Sequence, residues 1–373
     1  MAPNMSGSTL LLADTMMSKT VEDDRPRLSS YSNDTKRRDY EWQIVWRNVF
    51  AFIYLHAGCL YGFYLIFTGN VRIWTPIFVF TILSAMGVPA GAHRLWAHRA
   101  YKARWPLRLI LALAQTMAFQ NHIYEWVRDH RVHHKFTETD ADPHNAKRGF
   151  FFSHIGWLMV RKHKDVFEKG ASIDMSDLEK DPIVMLQKKT YLVVMPVLCF
   201  IIPACLPVYL WGEDPWTSWY VASIWRYTMS LNFTWLVNSA AHIYGNRPYD
   251  KYIGATDNKT VGILAMGEGW HNYHHVFPWD YKAAELGNYS TNLSTAVIDI
   301  AAKYGWAYDL KTVSEDMIRR RVNRTGDGTH PTSQQASHSE EHHHPDNPIW
   351  GWDDQDMTVE DRQFVEISHK KSD

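Results

Sequence analysis

Apolar residues gather into four runs of about 20 positions, near 48–67, 73–92, 190–211 and 215–237, while polar residues dominate both ends of the 373-residue chain. Each run is long enough to cross a hydrocarbon core of about 30 Å as a helix. A few residues around Gly69 and Asn70 separate the first two runs and Gly212-Glu213-Asp214 separates the last two, a pattern that predicts two membrane hairpins. A segment in lipid must satisfy its own backbone, which makes the spans helical. The expected fold is all-α and polytopic, with four transmembrane helices capped by a cytosolic helical domain. Trp105 to Phe119 is apolar too, but at about 15 residues with Arg108 and Gln115 inside it reads as an interfacial or re-entrant helix.

Residues 1–40, rich in Ser, Asp, Thr and Arg, predict a disordered cytosolic N-terminus. The membrane domain extends over 41–311, its cap drawn from 93–189 and 238–311, and residues 312–373 read as a polar cytosolic tail. Between 93 and 190 stand 17 Lys/Arg against 11 Asp/Glu, whereas the 212–214 turn has no basic residue. The positive-inside rule then puts both termini and the cap in the cytosol and the two short turns on the far side. A net charge of −1 gives no sign of nucleic-acid binding. Cys59, Cys199 and Cys205 all lie in apolar runs, as small buried residues rather than a disulfide framework. Arg226 interrupts the fourth run and is expected to face protein or water, its partner unnamed by sequence.

Chemistry concentrates in histidine. The chain has 20, and the pattern H-x-x-H-H occurs at His130, His133, His134 and again at His271, His274, His275. Two such matches arise by chance in roughly one chain in a thousand. On a helix each trio falls within about a 100° arc, so each can point at one place. His93 and His98, five apart, lie about 140° apart on a regular helix and are expected to converge where a helix ends and unwinds. His242 follows the fourth run, with Asn238 one turn earlier. Nine imidazoles suit two metals of four or five ligands each, all on one side of the membrane. Imidazole ligation does not choose among Zn, Cu, Fe and Ni. The absence of cysteine ligands and of His-Glu-x-x-His argues against a structural zinc or a zinc protease, and two open-shell metals beside lipid point to O₂ chemistry on a lipid.

His-Arg-Leu-Trp-Ala-His, Asp-His-Arg-Val-His-His-Lys, Thr-Asp-Ala-Asp-Pro-His-Asn, Arg-Gly-Phe-Phe-Phe-Ser-His-Ile-Gly-Trp, Asn-Ser-Ala-Ala-His and Gly-Glu-Gly-Trp-His-Asn-Tyr-His-His together resemble the membrane-bound acyl-CoA desaturases of the stearoyl-CoA (Δ9) group. Trp270, Asp-Gly-Thr-His and the tail motif Ile-Trp-Gly-Trp-Asp-Asp resemble the insect branch, and the likeness covers about residues 40–330. The resemblance implies an O₂-dependent oxidoreductase that inserts a cis double bond into a saturated fatty acyl-CoA. Its two Fe ions would be held by His93, His98, His130, His133, His134, His242, His271, His274 and His275, with Asn238 acting through water. Substrate contacts are expected from Asn121, Arg128, Asp129, Arg161, Lys162 and Trp235, and the far end of the acyl tunnel from Thr81 and Ala85. Cations beside coenzyme A phosphates also make independent electrostatic sense.

No His-Pro-Gly-Gly haem signature is present, so the resemblance implies a separate cytochrome b5 and its NADH-dependent reductase as electron donors. Lys370 and Lys371, fourth and third from the end, resemble a dilysine address for the endoplasmic reticulum membrane. Two departures stand out: Pro89, where relatives have threonine, and Thr81, where relatives often have tyrosine. The second would lengthen the tunnel. A desaturase acting at another carbon, as in pheromone synthesis, or a lipid hydroxylase would use the same centre. A non-catalytic metal-binding membrane protein would instead spread its histidines along the spans. Asn258 and Asn292 stand in glycosylation sequons that face the cytosol in this topology and stay unmodified. The histidines at 338–344 read as part of a solvated tail.

Overall fold

The computed structural model describes residues 42–69, 74–333 and 348–371. The 1–40 lead-in and the 338–344 patch lie outside the described residues. Within them the chain is mostly helical, with two small two-stranded sheets. Helix α1 is Trp46–Thr68, and α2 is α-helical over Trp74–Met86 and π-helical over Gly87–Ala97. Helix α3 is Trp105–Ala118 and α4 is Ile123–Phe136. Helix α5 spans Pro182–Trp211, and α6 occupies residues 215–238, from Pro215–Ser218 through Arg226–Asn238. Helical stretches thus stand at all four apolar runs. Two of them, α1 and α5, are long and apolar enough to cross a membrane, and only 17% and 28% of their most apolar windows are buried. Such exposed apolar surface is the opposite of what a soluble core helix shows.

Helix starts follow local chemistry. Asp181 accepts from the Ile183 amide ahead of α5, and Asp214 accepts from the Thr217 amide ahead of α6, each followed by proline in the first turn. Gly212, with φ +62°, ends α5 and makes the turn into α6. The two sequon asparagines are caps: Asn258 accepts from the Val261 amide and Asn292 from the Thr295 amide. Asn292 is buried, and its amide donates to the Lys282 carbonyl.

Proline leaves its mark inside the bundle. Pro203 has no N–H for the Cys199 carbonyl one turn back, and the Arg226 Nη2 takes that oxygen at 2.7 Å. Arg226 also donates to the Ala222 carbonyl at 2.9 Å and to Ser84 Oγ at 3.2 Å, while Ser223 and Ser218 hydroxyls serve the Phe200 and Ala204 carbonyls. The partner of this buried cation is therefore a ring of main-chain carbonyls and a hydroxyl, which sequence periodicity could not identify. Pro89 sits in the π-helical part of α2, where it has no N–H for the Ala85 carbonyl. Helix α3 packs on this stretch at Gly87, where a Cβ would stand 2.1 Å from the Gln115 nitrogen.

Beyond the bundle, α7 is His271–Val276, α8 is Leu293–Lys303 and α9 is Glu315–Thr325. Strand β1 (Lys102–Ala103) pairs antiparallel with β2 (Ala307–Tyr308), and β3 (Leu310–Val313) with β4 (Val365–Ser368). Strand β3 crosses the boundary drawn at 311, and residues 348–371 fold back onto the body, so the polar tail is in part structured. Polar composition concealed this, because its anchors are single buried residues such as Ile349, Trp350 and Asp354. No disulfide forms among the described residues. Replacing Arg226 by alanine strands the Cys199 carbonyl at a cost of about 1–3 kcal/mol, apart from the cavity left behind. A thermal scan in detergent is expected to show a midpoint lower by on the order of a few degrees, with Ser84→Ala less affected.

Candidate metal centre

The π-helical end of α2 decides how the first two histidines meet. A π turn closes hydrogen bonds five residues apart, so positions five apart fall within about 50° of each other rather than 140°. The His98 amide donates to the His93 carbonyl at 3.0 Å, and the two rings have centroids 4.6 Å apart. The helix widens here; it does not unwind, and that corrects the expectation from sequence.

Nine imidazoles assemble into two groups. His93, His98, His130, His134 and His274 form one, and His133, His242, His271 and His275 the other, with the ligand atoms of each group all within 4.8 Å of one another. Neither H-x-x-H-H trio points at one place. The pair four apart, 40° around the helix, serves one group, and the middle histidine faces the other. Helices α4 and α7 do this reciprocally: His130 and His134 join His274, while His271 and His275 join His133. His242 reaches the second group from the short helix Ala240–Ile243, which the break at Ser239 releases from α6.

The spacing fits bound cations. In the five-membered group, His93 and His274 Nε2 stand 2.9 Å apart, His98 and His130 Nε2 2.9 Å, and His134 and His274 Nε2 3.1 Å. In the four-membered group the corresponding separations are 3.0, 3.1 and 3.3 Å. Two nitrogens at about 2.1 Å from one ion and at right angles are about 3.0 Å apart. The outer nitrogens fix the tautomers. His93 Nδ1 lies 2.8 Å from Glu268 and His133 Nδ1 2.9 Å from Asp142, while His98 Nδ1 meets the Trp350 carbonyl. An Nδ1–H held outward leaves the Nε2 lone pair facing inward. Burial first, and neighbouring rings second, hold His98, His130, His134, His242, His271, His274 and His275 far below the usual imidazole range. Neutral rings are what a metal needs.

Glu268, Asp142 and Arg94 were not among the predicted site residues. Burial would raise the Glu268 carboxyl, but Arg94 and then His93 hold it down to about 2. Arg94, fully buried, gives Glu268 bonds of 2.7 and 3.1 Å and also reaches the Tyr281 carbonyl, Thr295 and Asn292. The sequence signal for both acids was their place inside the quoted histidine motifs, where Glu268 precedes His271 by three residues and Asp142 precedes His144 by two.

The remaining predicted residues are dispersed around this centre. Asn238 ends α6, half-buried. Arg128, Asp129 and Lys162 form one ion-pair network with Glu125: Arg128 meets Asp129 at 2.8 Å, and Lys162 meets Glu125 at 3.3 Å and Asp129 more closely. An anion binding here competes with carboxylates, so neither cation is a bare phosphate site. The Arg161 amide pairs with the Gln43 carbonyl, which brings the chain ahead of α1 beside the network. Next to Arg128 an open cleft of about 430 Å³ is lined by Tyr124, Phe167, Met175 and Glu179. Asn121 takes a left-handed turn (φ +66°) between α3 and α4. Trp235 is buried edge-on to Phe52 at 5.6 Å. Thr81 and Ala85 lie on α2 around Ser84, the residue that Arg226 holds, and Thr81 Oγ1 donates to the Ile77 carbonyl at 2.7 Å.

Residues 71–308 match the fatty acid desaturase family model. The chain belongs to that family. It is 56% identical to the acyl-CoA Delta-9 desaturase of Acheta domesticus over the full length of both chains. It is 55% identical to the acyl-CoA Delta12-desaturase of the same organism, over 89% of each chain. Stearoyl-CoA desaturase 5 of Bos taurus is 54% identical over 78% of this chain and 87% of its own. Replacing Glu268 by alanine leaves Arg94 buried without a counter-charge. The expected loss is roughly 3–5 kcal/mol, read by thermal unfolding, with Glu268→Gln intermediate.

Proposed function

We propose that this protein is a membrane acyl-CoA desaturase that takes one hydrogen from each of two neighbouring methylenes of a saturated fatty acyl-CoA, leaving a cis double bond between carbons 9 and 10. With two electrons and two protons supplied, one O₂ leaves as two waters. The observation that carries this reading is the reciprocal sharing of nine imidazoles between two adjacent groups in a desaturase-family chain. The groups fit two iron ions, one held by His93, His98, His130, His134 and His274. The other would be held by His133, His242, His271 and His275, with Asn238 acting through a water. When bound, the ions supply the one-electron chemistry with O₂ that hydrogen removal from an unactivated methylene requires.

The chain's own residues do the positioning. Glu268, Asp142 and the Trp350 carbonyl hold the outer nitrogens of His93, His133 and His98, so those three rings are oriented before a metal binds. Arg128, Arg161, Lys162, Asp129 and Asn121 would take the polar coenzyme A end from the cytosol. The acyl chain would run past Trp235 toward Thr81 and Ala85. No charged group marks the target carbons, so selectivity rests on how deep the chain reaches before it meets a wall. We place helices α1, α2, α5 and α6 across the endoplasmic reticulum membrane, with both termini cytosolic. Cytochrome b5 and its NADH-dependent reductase are the proposed electron donors. A second reading, desaturation at another carbon, is favoured by the near-equal identity to relatives named Delta-9 and Delta-12.

Expression in yeast lacking its own desaturase tests the assignment, with double bonds located by mass spectrometry after derivatisation. A bond at carbon 9 is expected, and His271→Ala is expected to lose product at least a hundredfold at equal protein level. A bond at another carbon moves the protein to the second reading, and no unsaturated product with cytochrome b5 present overturns the proposal. Thr81→Tyr in the same host is expected to shift products severalfold toward shorter chains; an unchanged ratio removes Thr81 from the tunnel end.

A further inference from the structure

The tail motif Ile349-Trp350-Gly351-Trp352-Asp353-Asp354 lies about 250 residues from the first histidine pair in sequence and against it in space. The Trp350 carbonyl meets His98 Nδ1, and the Trp352 amide donates to the His98 carbonyl at 2.9 Å. His98 is thus bound on both its ring and its main chain by one short segment. Gly351 lies between these contacts with φ +154°, and a Cβ there would stand 2.5 Å from the His98 oxygen and 2.6 Å from its Cα. Only glycine permits that approach.

Separate anchors hold the segment in place. The Trp350 amide donates to Asp354 Oδ2 at 2.7 Å, and Asp354, fully buried, pairs through Oδ1 with Lys135 at 2.9 Å. Asp356 meets the same lysine, which directly follows His134. The buried Trp350 ring lies under the Arg131 guanidinium at 4.1 Å and near that of Arg99 at 4.8 Å. Arg131 in turn donates to the Trp96 and Ala97 carbonyls at the end of the π-helical stretch. Downstream, β4 pairs with β3 through four residues. The segment therefore touches the chain on both sides of the five-histidine group, next to His98 and next to His134.

We infer that Ile349–Asp354 is a positioning strap for the five-histidine group: its main chain sets the His98 tautomer and holds that ring in place, so that metal retention depends on the tail being seated. This inference rests on the dimetal reading above. Outer hydrogen-bond partners of metal-bound histidines typically contribute 10–100-fold in metal affinity. A carbonyl supplied by a remote segment makes that contribution removable without touching a ligand.

The test uses full-length protein purified in detergent, with metal per chain measured by mass spectrometry and the rate of iron loss to a ferrous chelator followed by absorbance. Gly351→Val forces the strap from His98, and Asp354→Ala removes its anchor to Lys135. Both are expected to keep monodispersity and helix content but to lose one ion on the order of tenfold faster than wild type. Glu366→Ala, an exposed change on β4, is expected to match wild type. If Gly351→Val and Asp354→Ala retain two ions as slowly as wild type, the strap is overturned while the dimetal reading stands. If Glu366→Ala leaks metal equally, the effect is general destabilisation and the strap is likewise overturned. Wild-type protein that binds no metal overturns the dimetal reading itself. Should Gly351→Val fail to fold, Asp354→Asn, which keeps an acceptor for the Trp350 amide but removes the negative charge facing Lys135, decides the question by the same two readouts.

Discussion

The constraint on which this molecule turns is the convergence of imidazole lone pairs in a space that excludes water. Rings whose outer N–H groups are committed to Glu268, Asp142 or the Trp350 carbonyl present only acceptors inward, and acceptors about 3 Å apart repel unless a cation lies between them. Burial holds His98 and six of the other rings far below the usual imidazole range, so protonation of those rings does not relieve the repulsion. Much of the body beyond the helical bundle can be understood as scaffolding for this arrangement. Arg94 neutralises the Glu268 carboxylate against His93, and Arg131 gathers the carbonyls at the end of α2 while facing Trp350. Each of these arginines is fully buried and paired, which is the condition under which a buried charge is tolerated.

The helices under the site are interrupted where interruption aims a ligand or replaces a lost hydrogen bond. The widened end of α2 brings His93 and His98 onto one side, and the break at Ser239 frees His242 from the axis of α6. Deeper in the bundle, Pro203 leaves the Cys199 carbonyl without its helical donor, and α6 answers with Arg226, while Ser223 and Ser218 donate to the Phe200 and Ala204 carbonyls. The same arginine reaches Ser84, one turn from Thr81 and beside Ala85. A polar clamp therefore lies directly behind the residues proposed to close the acyl tunnel, which ties the wall that would set chain length to the stability of the bundle.

The side proposed to take coenzyme A is different in kind. Arg128 and Lys162 are already paired with Glu125 and Asp129 in a partly buried network, so binding of a polyanion there would be an exchange of partners rather than the filling of an empty positive patch. Such exchange would be sensitive to salt, whereas the two histidine groups are buried and so screened far less.

The sequence by itself determined where helices could form and which residues carry chemistry. Apolar runs of membrane length, proline and aspartate at helix starts, and two H-x-x-H-H trios are local properties, legible because period and composition act within a few residues. Periodicity reports an angle about one helix axis. It cannot say which of two adjacent spaces that angle faces, so the reciprocal division of each trio was settled only when α4 and α7 were packed against each other. The same holds for the partner of Arg226, for the Arg94 to Glu268 pair across 174 residues, and for the tail that meets His98 across 252. Those contacts are hydrogen bonds between groups with no sequence pattern in common. Only the tertiary structure decides them, because a buried donor or acceptor takes whichever partner the fold brings within 3 Å.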